Sequence, residues 1–340
     1  MVPFIVFRAV WYVRLWVANL TIFLLNAGED VLVGGQAVFE GVMMRSPRSY
    51  SVAVRRPDGS VVVKKDLLQR PADRKFIWGF PVIRGVATLG QAFTLGIRAL
   101  KFSTDQIISS LGSEHREKGE MQSPESGREI STWLMTLNII IALGFFVLLF
   151  KVLPLLLTSW LNLHSASLNN RFFFSLVDGL IRMAIFLLYI FLVSRIRDIR
   201  RMFEYHGAEH KVVFTFESGE PLLVSNAMKF STFHPRCGTS FLMVVMLIST
   251  LIYAFIPFES FLLKLLSRVI LIPVIAGISY EVIRFAALNK SRILDLLTLP
   301  GLWLQRVTTR EPDERQLEIA IRALDEALQL EKSAPVLVVV

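Results

Sequence analysis

One cysteine, Cys237, occurs in 340 residues. A lone thiol closes no bridge within the chain, which excludes a disulfide-built secreted domain. Charge is scarce too: 19% of residues are Asp, Glu, Lys or Arg, against about 25% in ordinary soluble domains. That shortage of charge excludes a disordered chain, the composition is not collagen-like, and no internal repeat is visible. No small-x-small cleavage site follows the apolar stretch at 3–27, so a signal peptide is not expected. In their place the chain has 53% hydrophobic residues and a mean hydropathy of +0.53. The length allows two soluble domains, but this composition points to a membrane protein with a sizeable water-facing part.

Four apolar stretches are long enough to cross a hydrocarbon core, which takes roughly 20 helical residues. The first runs from about Trp133 to Leu157, interrupted by Lys151 and Pro154. The second covers Phe172 to Val193 and contains Asp178 and Arg182. The third covers Ser240 to Phe258. The fourth, Phe261 to Leu288, carries Lys264 and Arg268 near its start and Glu281 and Arg284 near its end. Lys and Arg number 17 in residues 1–132, one in 158–171, seven in 195–237 and eight from Arg284 onward. The positive-inside rule then puts both termini and the 195–237 loop in the cytoplasm of a multi-pass cytoplasmic-membrane protein. The net charge of +9 is the same excess seen from outside; membrane lipids are its expected partner, and no specific nucleic acid is called for.

The remaining segments divide as follows. Residues 1–30 are apolar but broken by Arg8 and Arg14, and read as an interfacial helix. Residues 31–75 read as β-rich, with Ser51–Arg56 and Ser60–Lys65 flanking the hairpin turn Pro57-Asp58-Gly59. Residues 76–108 hold a membrane-associated amphipathic helix, with a stripe of Arg84, Thr88, Gln91, Thr94, Arg98 and Lys101, and Gly85, Gly90, Ala92 and Gly96 would allow close packing or a shallow seat in the interface. Residues 109–131 read as a linker. Spans one and two occupy 132–194, a His/Cys loop 195–238, spans three and four 239–290, and a tail ending in an amphipathic helix 291–340. Lys211–Glu217 alternates like one more strand of the small sheet. The fold class is therefore mainly α, with about four transmembrane helices, interfacial helices and a small β unit.

The chemistry gathers in the 195–238 loop, His206-Gly207-Ala208-Glu209-His210 followed by His234-Pro235-Arg236-Cys237-Gly238. On a helix His206 and His210 lie one turn apart on one face and can reach one cation. Glu209 would stand beside them, suited to activate water, as in the His-x-x-Glu-His arrangement of some zinc hydrolases. His234, Cys237 or Glu281 would complete the shell around zinc or another divalent transition metal. Three outcomes stay open: a catalytic site, a closed structural zinc site of three His and Cys237, or polar groups where a helix leaves the bilayer. Asp178 and Arg182 read as a local ion pair. Glu281 and Arg284 lie three apart at the cytoplasmic end of the last span, near where His206 and His210 emerge. Gln36, Glu40 and Arg45 lie in a Gly-bounded segment that reads as a tight turn into the hairpin, and Gly34-Gly35 suggests a close backbone approach.

The stretches GGQAVFEGVMMRSP (34–47), PVIRGVATLGQAF (81–93), YHGAEHK (205–211), HPRCGTSF (234–241), SYEVIRFAA (279–287) and LTLPGLWLQRVTTREPDERQLEIAI (297–321) resemble those of the bacterial YqhQ family of multi-span membrane proteins. The resemblance covers nearly the whole chain from about residue 30. It implies a metal-dependent enzyme of unspecified substrate, and places weight on His206, Glu209, His210, His234, Cys237 and Glu281. The leading expectation is a metal-dependent hydrolase at the cytoplasmic membrane face, with Glu209 as general base. The alternative is a scaffold with a structural zinc that docks a cytoplasmic protein partner. A transporter ranks last, since only Asn138, Ser240 and Thr250 offer a polar path.

Overall fold

The computed structural model describes residues 33–69, 76–117, 132–164, 170–235, 237–288 and 292–333. The expected N-terminal helix (1–30), residues 118–131 of the expected linker and the candidate Arg236 lie outside them.

Strands β1 (Gly34–Val38), β2 (Gly41–Arg45), β3 (Ser49–Arg55) and β4 (Val61–Leu67) form an antiparallel meander in chain order. Its register sets Met43 opposite Val52 and Val42 opposite Ala53. The β3–β4 turn works because Gly59 takes φ +85° and Asp58 Oδ1 accepts the Ser60 N–H at 2.8 Å, a side chain standing in for a backbone acceptor. Alternation gives the sheet two apolar faces. Val38, Met43, Tyr50, Val52 and Val54 pack against Leu95 and Ala99 of helix α1 (Ile83–Glu117). Val42, Met44 and Ala53 pack against α5 (Arg197–Glu217) and α10 (Glu314–Ser333). The α10 contact is close because small residues face each other: Ser49 Oγ donates to the Ala327 carbonyl at 2.6 Å, and Ser51 Oγ to that of Ala323. Asp313 and Gln316 exchange side-chain-to-backbone hydrogen bonds at the start of α10, a reciprocal cap that fixes where it begins.

Two expectations are corrected here. Lys211–Glu217 is not a strand but the last turns of α5, because Ala208 and Val212 continue one buried helical stripe. Residues 109–117 are not linker; they extend α1 to Glu117. The amphipathic segment is also more than a surface helix. It forms a layer on the sheet and crosses the helix that carries Gly277, where that glycine meets Gly85.

The other long helices are α2 (Thr132–Val147), α3 (Leu153–Asn162), α4 (Arg171–Val193), α6 (Gly238–Ala254), α7 (Phe261–Ile270), α8 (Ile272–Leu288) and α9 (Arg292–Thr308). A π turn, Leu148–Val152, joins α2 to α3; Pro154 has no N–H for the Phe150 carbonyl, so the ladder widens just before it. Two stretches, Thr136–Asn162 and Arg171–Val193, are long and apolar enough to cross a membrane, and α7 with α8 makes a third if that pair, bent by 49°, counts as one. Pro273, in the first turn of α8, accounts for the bend. The apolar α6 has 17 residues. The four expected crossings are thus two or three by length and composition among the described residues.

Asp178 and Arg182 are not the simple local pair expected. Asp178 Oδ1 accepts from Arg268 Nη1 at 2.7 Å, whereas Arg182 lies 4.0 Å from Oδ2 and donates to Thr250 Oγ1 at 2.8 Å. The spacing shows the i,i+4 neighbour and hides the partner ninety residues away.

Candidate metal centre

Helix α5 carries His206 and His210 on one face, their ring centroids 4.4 Å apart. The next residue on the chain, Gly207, decides what lies against that face. A Cβ there would collide with the Arg310 carbonyl oxygen, so only glycine lets residues 308–310 run along α5. The Arg310 N–H donates to the Phe203 carbonyl at 2.9 Å and pins that segment. As a result the Thr308 carbonyl meets His206 Nδ1 at 2.8 Å. The Thr232 carbonyl takes His210 Nδ1 in the same way. A carbonyl only accepts, so both Nδ1 atoms carry the proton, and in the neutral rings both Nε2 atoms present lone pairs.

Those lone pairs converge. His206 Nε2 lies 3.1 Å from Cys237 Sγ, and His206, His210 and Cys237 place their ligand atoms within 4.8 Å of one another. Cys237 is buried and caps the N-terminus of α6, where the Thr239 N–H points at the sulfur. His210 is 1% exposed, and its Nε2 makes no close hydrogen bond, only the longer approaches of Cys237 and of Glu209 Oε2 at 3.6 Å. A buried ring nitrogen without a close partner is costly unless something occupies its lone pair. Burial also depresses the His210 pKa, favouring the neutral ring that metals bind. Two imidazoles oriented by carbonyls plus a thiol form a donor set that suits zinc and leaves a fourth position open.

Glu209 stands beside this set. Its Oε2 is 3.6 Å from His210 Nε2, and its carboxyl pKa is raised, chiefly by burial, against the opposing pull of His206, His234 and the Gly35 N–H. Gly35 also makes room: a Cβ there would crowd Glu209 Cγ. Of the Gly34-Gly35 pair, Gly35 alone makes the close approach, of β1 onto α5; a Cβ on Gly34 would meet nothing within 4 Å.

The other candidates lie elsewhere. His234 Nε2 faces Glu217 Oε2 at 3.4 Å, and its ring packs on Phe214 rather than joining the three donors. Glu281 is taken by Arg84, which reaches it with Nε at 3.2 Å and Nη2 at 2.6 Å; Arg284 is 4.0 Å from the same carboxylate. A carboxylate held by a guanidinium fork is not a free ligand. Gln36 Nε2 donates to the Ala92 carbonyl at 3.4 Å. Glu40 sits in the β1–β2 turn at φ +52°, where Arg201 Nη2 holds it at 2.7 Å. Arg45 ends β2 opposite Tyr50.

Several contributors escape sequence reasoning. Gln305 is wholly buried; it accepts the His234 N–H at 2.7 Å and donates to its carbonyl at 2.8 Å, mimicking a peptide partner. The Thr232 and Thr308 carbonyls are backbone groups and leave no trace in residue type. Glu217 had a signal, since 206, 210 and 217 share a helical face, but the strand reading of 211–217 concealed it.

A family profile described as "Protein of unknown function (DUF1385)" matches residues 80–330. The chain is 35% identical over 303 residues to "Uncharacterized protein YqhQ" of Bacillus subtilis (strain 168), covering 88% of this chain and 92% of that protein. No solved structure matches significantly.

Proposed function

The chain belongs to the family described as protein of unknown function DUF1385, and from its own site geometry we propose that it is a metal-dependent hydrolase at the cytoplasmic face of the membrane. The observation that carries this reading is the convergence of His206 Nε2, His210 Nε2 and Cys237 Sγ with a buried carboxylate at their side.

In this reading His206, His210 and Cys237 hold zinc or a similar divalent ion. Such an ion supplies Lewis acidity and makes a nucleophile from water near neutral pH. The protein's own groups do the rest. The Thr308 and Thr232 carbonyls hold the imidazoles in one tautomer and orientation. Glu209 accepts the proton of the attacking water, a role for which its desolvated carboxylate, raised in basicity, is suited. The Gly35 N–H holds that carboxylate in place. The substrate class is an ester, amide or phosphoester presented at the membrane.

The architecture proposed around it has four crossings: α2–α3, α4, α6 and the bent α7–α8. The 17 residues of α6 rise about 25 Å, at the short end of what spans a bilayer. The basic 195–237 loop and the sheet layer then face the cytoplasm.

A structural zinc in a partner-docking scaffold is the second reading. It is favoured by the way the three donors join α5 of the sheet layer to the start of α6. The two readings part at Glu209. Elemental analysis of purified protein should give about one transition ion per chain, lost in the His206→Ala/His210→Ala double variant. Glu209→Gln should retain metal and fold while losing about 10²–10⁴-fold in turnover on a panel of ester, peptide and phosphoester probes. A metal-free wild type, after reconstitution with zinc under reducing conditions, would sink both readings.

A further inference from the structure

At the other end of α6, 16 residues and about 24 Å of helix rise from Cys237, lies a different concentration of charge. Lys151, Arg182 and Arg268 are each no more than 8% exposed and gather around one aromatic ring. Their cationic groups lie 5.3, 5.1 and 4.8 Å from the centroid of Tyr253. Lys151 reaches it from the π turn and donates to the Tyr253 hydroxyl at 2.9 Å. Asp178 is the carboxylate these cations share, and Arg268 takes its nearer oxygen at 2.7 Å. The network is not closed: Arg182 Nε and Asp178 Oδ2 are buried without hydrogen-bond partners. Among the described residues, the two arginines beside Lys151 share one carboxylate, which leaves an excess of positive charge in a layer where it is costly.

Arg268 and Tyr253 are also the floor of a cleft of about 380 Å³ whose rim carries Arg171 and Lys264, with Glu259 as its carboxylate. The cleft adjoins an apolar groove of about 520 Å³ through the shared Ile256 and Phe258, and Leu263, Leu266 and Ile270 continue that groove along α7. A cationic pocket opening onto an apolar groove complements an anionic head joined to a hydrocarbon chain. We propose that this cleft binds an anionic phospholipid, its phosphate between Arg268, Lys264 and Arg171 and an acyl chain along α7. Phosphate oxygens accept several charge-assisted hydrogen bonds at once, and one such group supplies the missing counter-charge. The site is separate from the His/Cys centre and does not depend on the reading given to it.

The test is native mass spectrometry of the full-length protein in neutral detergent, titrated with dioleoylphosphatidylglycerol or dioleoylphosphatidylcholine. One phosphatidylglycerol should be retained at least about tenfold more tightly than phosphatidylcholine, because choline cancels the charge that the cleft recognises. Arg268→Gln strips Asp178 of its partner and risks the fold, so Arg171→Gln/Lys264→Gln carries the test. That variant removes two rim cations, neither of which hydrogen-bonds Asp178, and should lose the preference while keeping the wild-type melting temperature. Equal retention of the two lipids, or a variant indistinguishable from wild type, would overturn the proposal. Displacement of phosphatidylglycerol by millimolar inorganic phosphate alone would overturn the lipid in favour of a free anion.

Discussion

Gly207 shows how much of the proposed metal centre would rest on a residue that touches none of its ligands. It separates His206 from the rest of the motif, and its bare α-carbon admits the Arg310 carbonyl. Gly207→Ala should cost roughly 1–3 kcal/mol as an overpacked contact. It should also move the Thr308 carbonyl off His206 Nδ1, lowering zinc affinity by roughly 10–100-fold, as loss of an orienting partner does. Chemical denaturation and chelator competition measure the two effects. Gly34→Ala is the control, since its Cβ would meet nothing within 4 Å, and unchanged zinc affinity in Gly207→Ala would remove the orienting role. That His206, Glu209, His210 and Cys237 belong together is legible in the sequence from residue type and spacing, and the structure brings them to one place. Glu281 joins them in the sequence by topology and by the family resemblance, not by spacing. Its fate depends on Arg84, 197 positions away, and no local pattern announces that pairing.

Elements are legible where one periodicity dominates. The β3–β4 hairpin declares itself by alternation and by Pro57-Asp58-Gly59; α10 does so by Pro312, its acidic start and the apolar stripe from Leu317. Lys211–Glu217 misleads because Val212, Phe214 and Phe216 recur at every second position between Lys211, Thr215 and Glu217, while the same residues complete a helix begun at Arg197. Packing on Met44 and Ala53 selects the helix, and such packing is not a local property. The joint between α10 and β4 is testable through Glu326. Its carboxyl pKa is lowered, first by the hydrogen bond from Lys65 at 2.7 Å, with Arg322 at 2.8 Å assisting. A lowered folded-state value means the stabilisation is full above the ordinary glutamate pKa and disappears as pH falls through the folded one. Glu326→Gln should therefore cost less than about 1 kcal/mol at neutral pH, as befits a pair with an exposed lysine. Wild type and variant should melt together once the pH lies below the folded-state value. A gap that persists at low pH would assign the loss to packing instead.

At the scale of the molecule, long apolar helices were legible and their number was not. Hydropathy sees the continuous stretches Thr136–Asn162 and Arg171–Val193, but it cannot see that Pro273 breaks the last stretch into two helices bent by 49°. The arrangement of ends nevertheless carries a sharp expectation. Cys237 starts α6 beside the sheet layer, while Tyr253, Glu259 and Arg171 meet around the cleft at the far end. If the bundle crosses the bilayer, the sheet layer and that cleft open on opposite sides, and the seven basic residues of 195–237 against one in 158–171 fix which side is which. Single cysteines test this, because the native thiol of Cys237 is buried. In intact cells a membrane-impermeant maleimide should label Glu259→Cys, whose side chain is 90% exposed, and spare Glu318→Cys, 61% exposed on α10. Permeabilised cells should label both. The inverse pattern would turn the protein over in the membrane, putting the His/Cys centre outside and the lipid cleft against the cytoplasmic leaflet. Labelling of both in intact cells would mean that the helices do not separate the two faces at all.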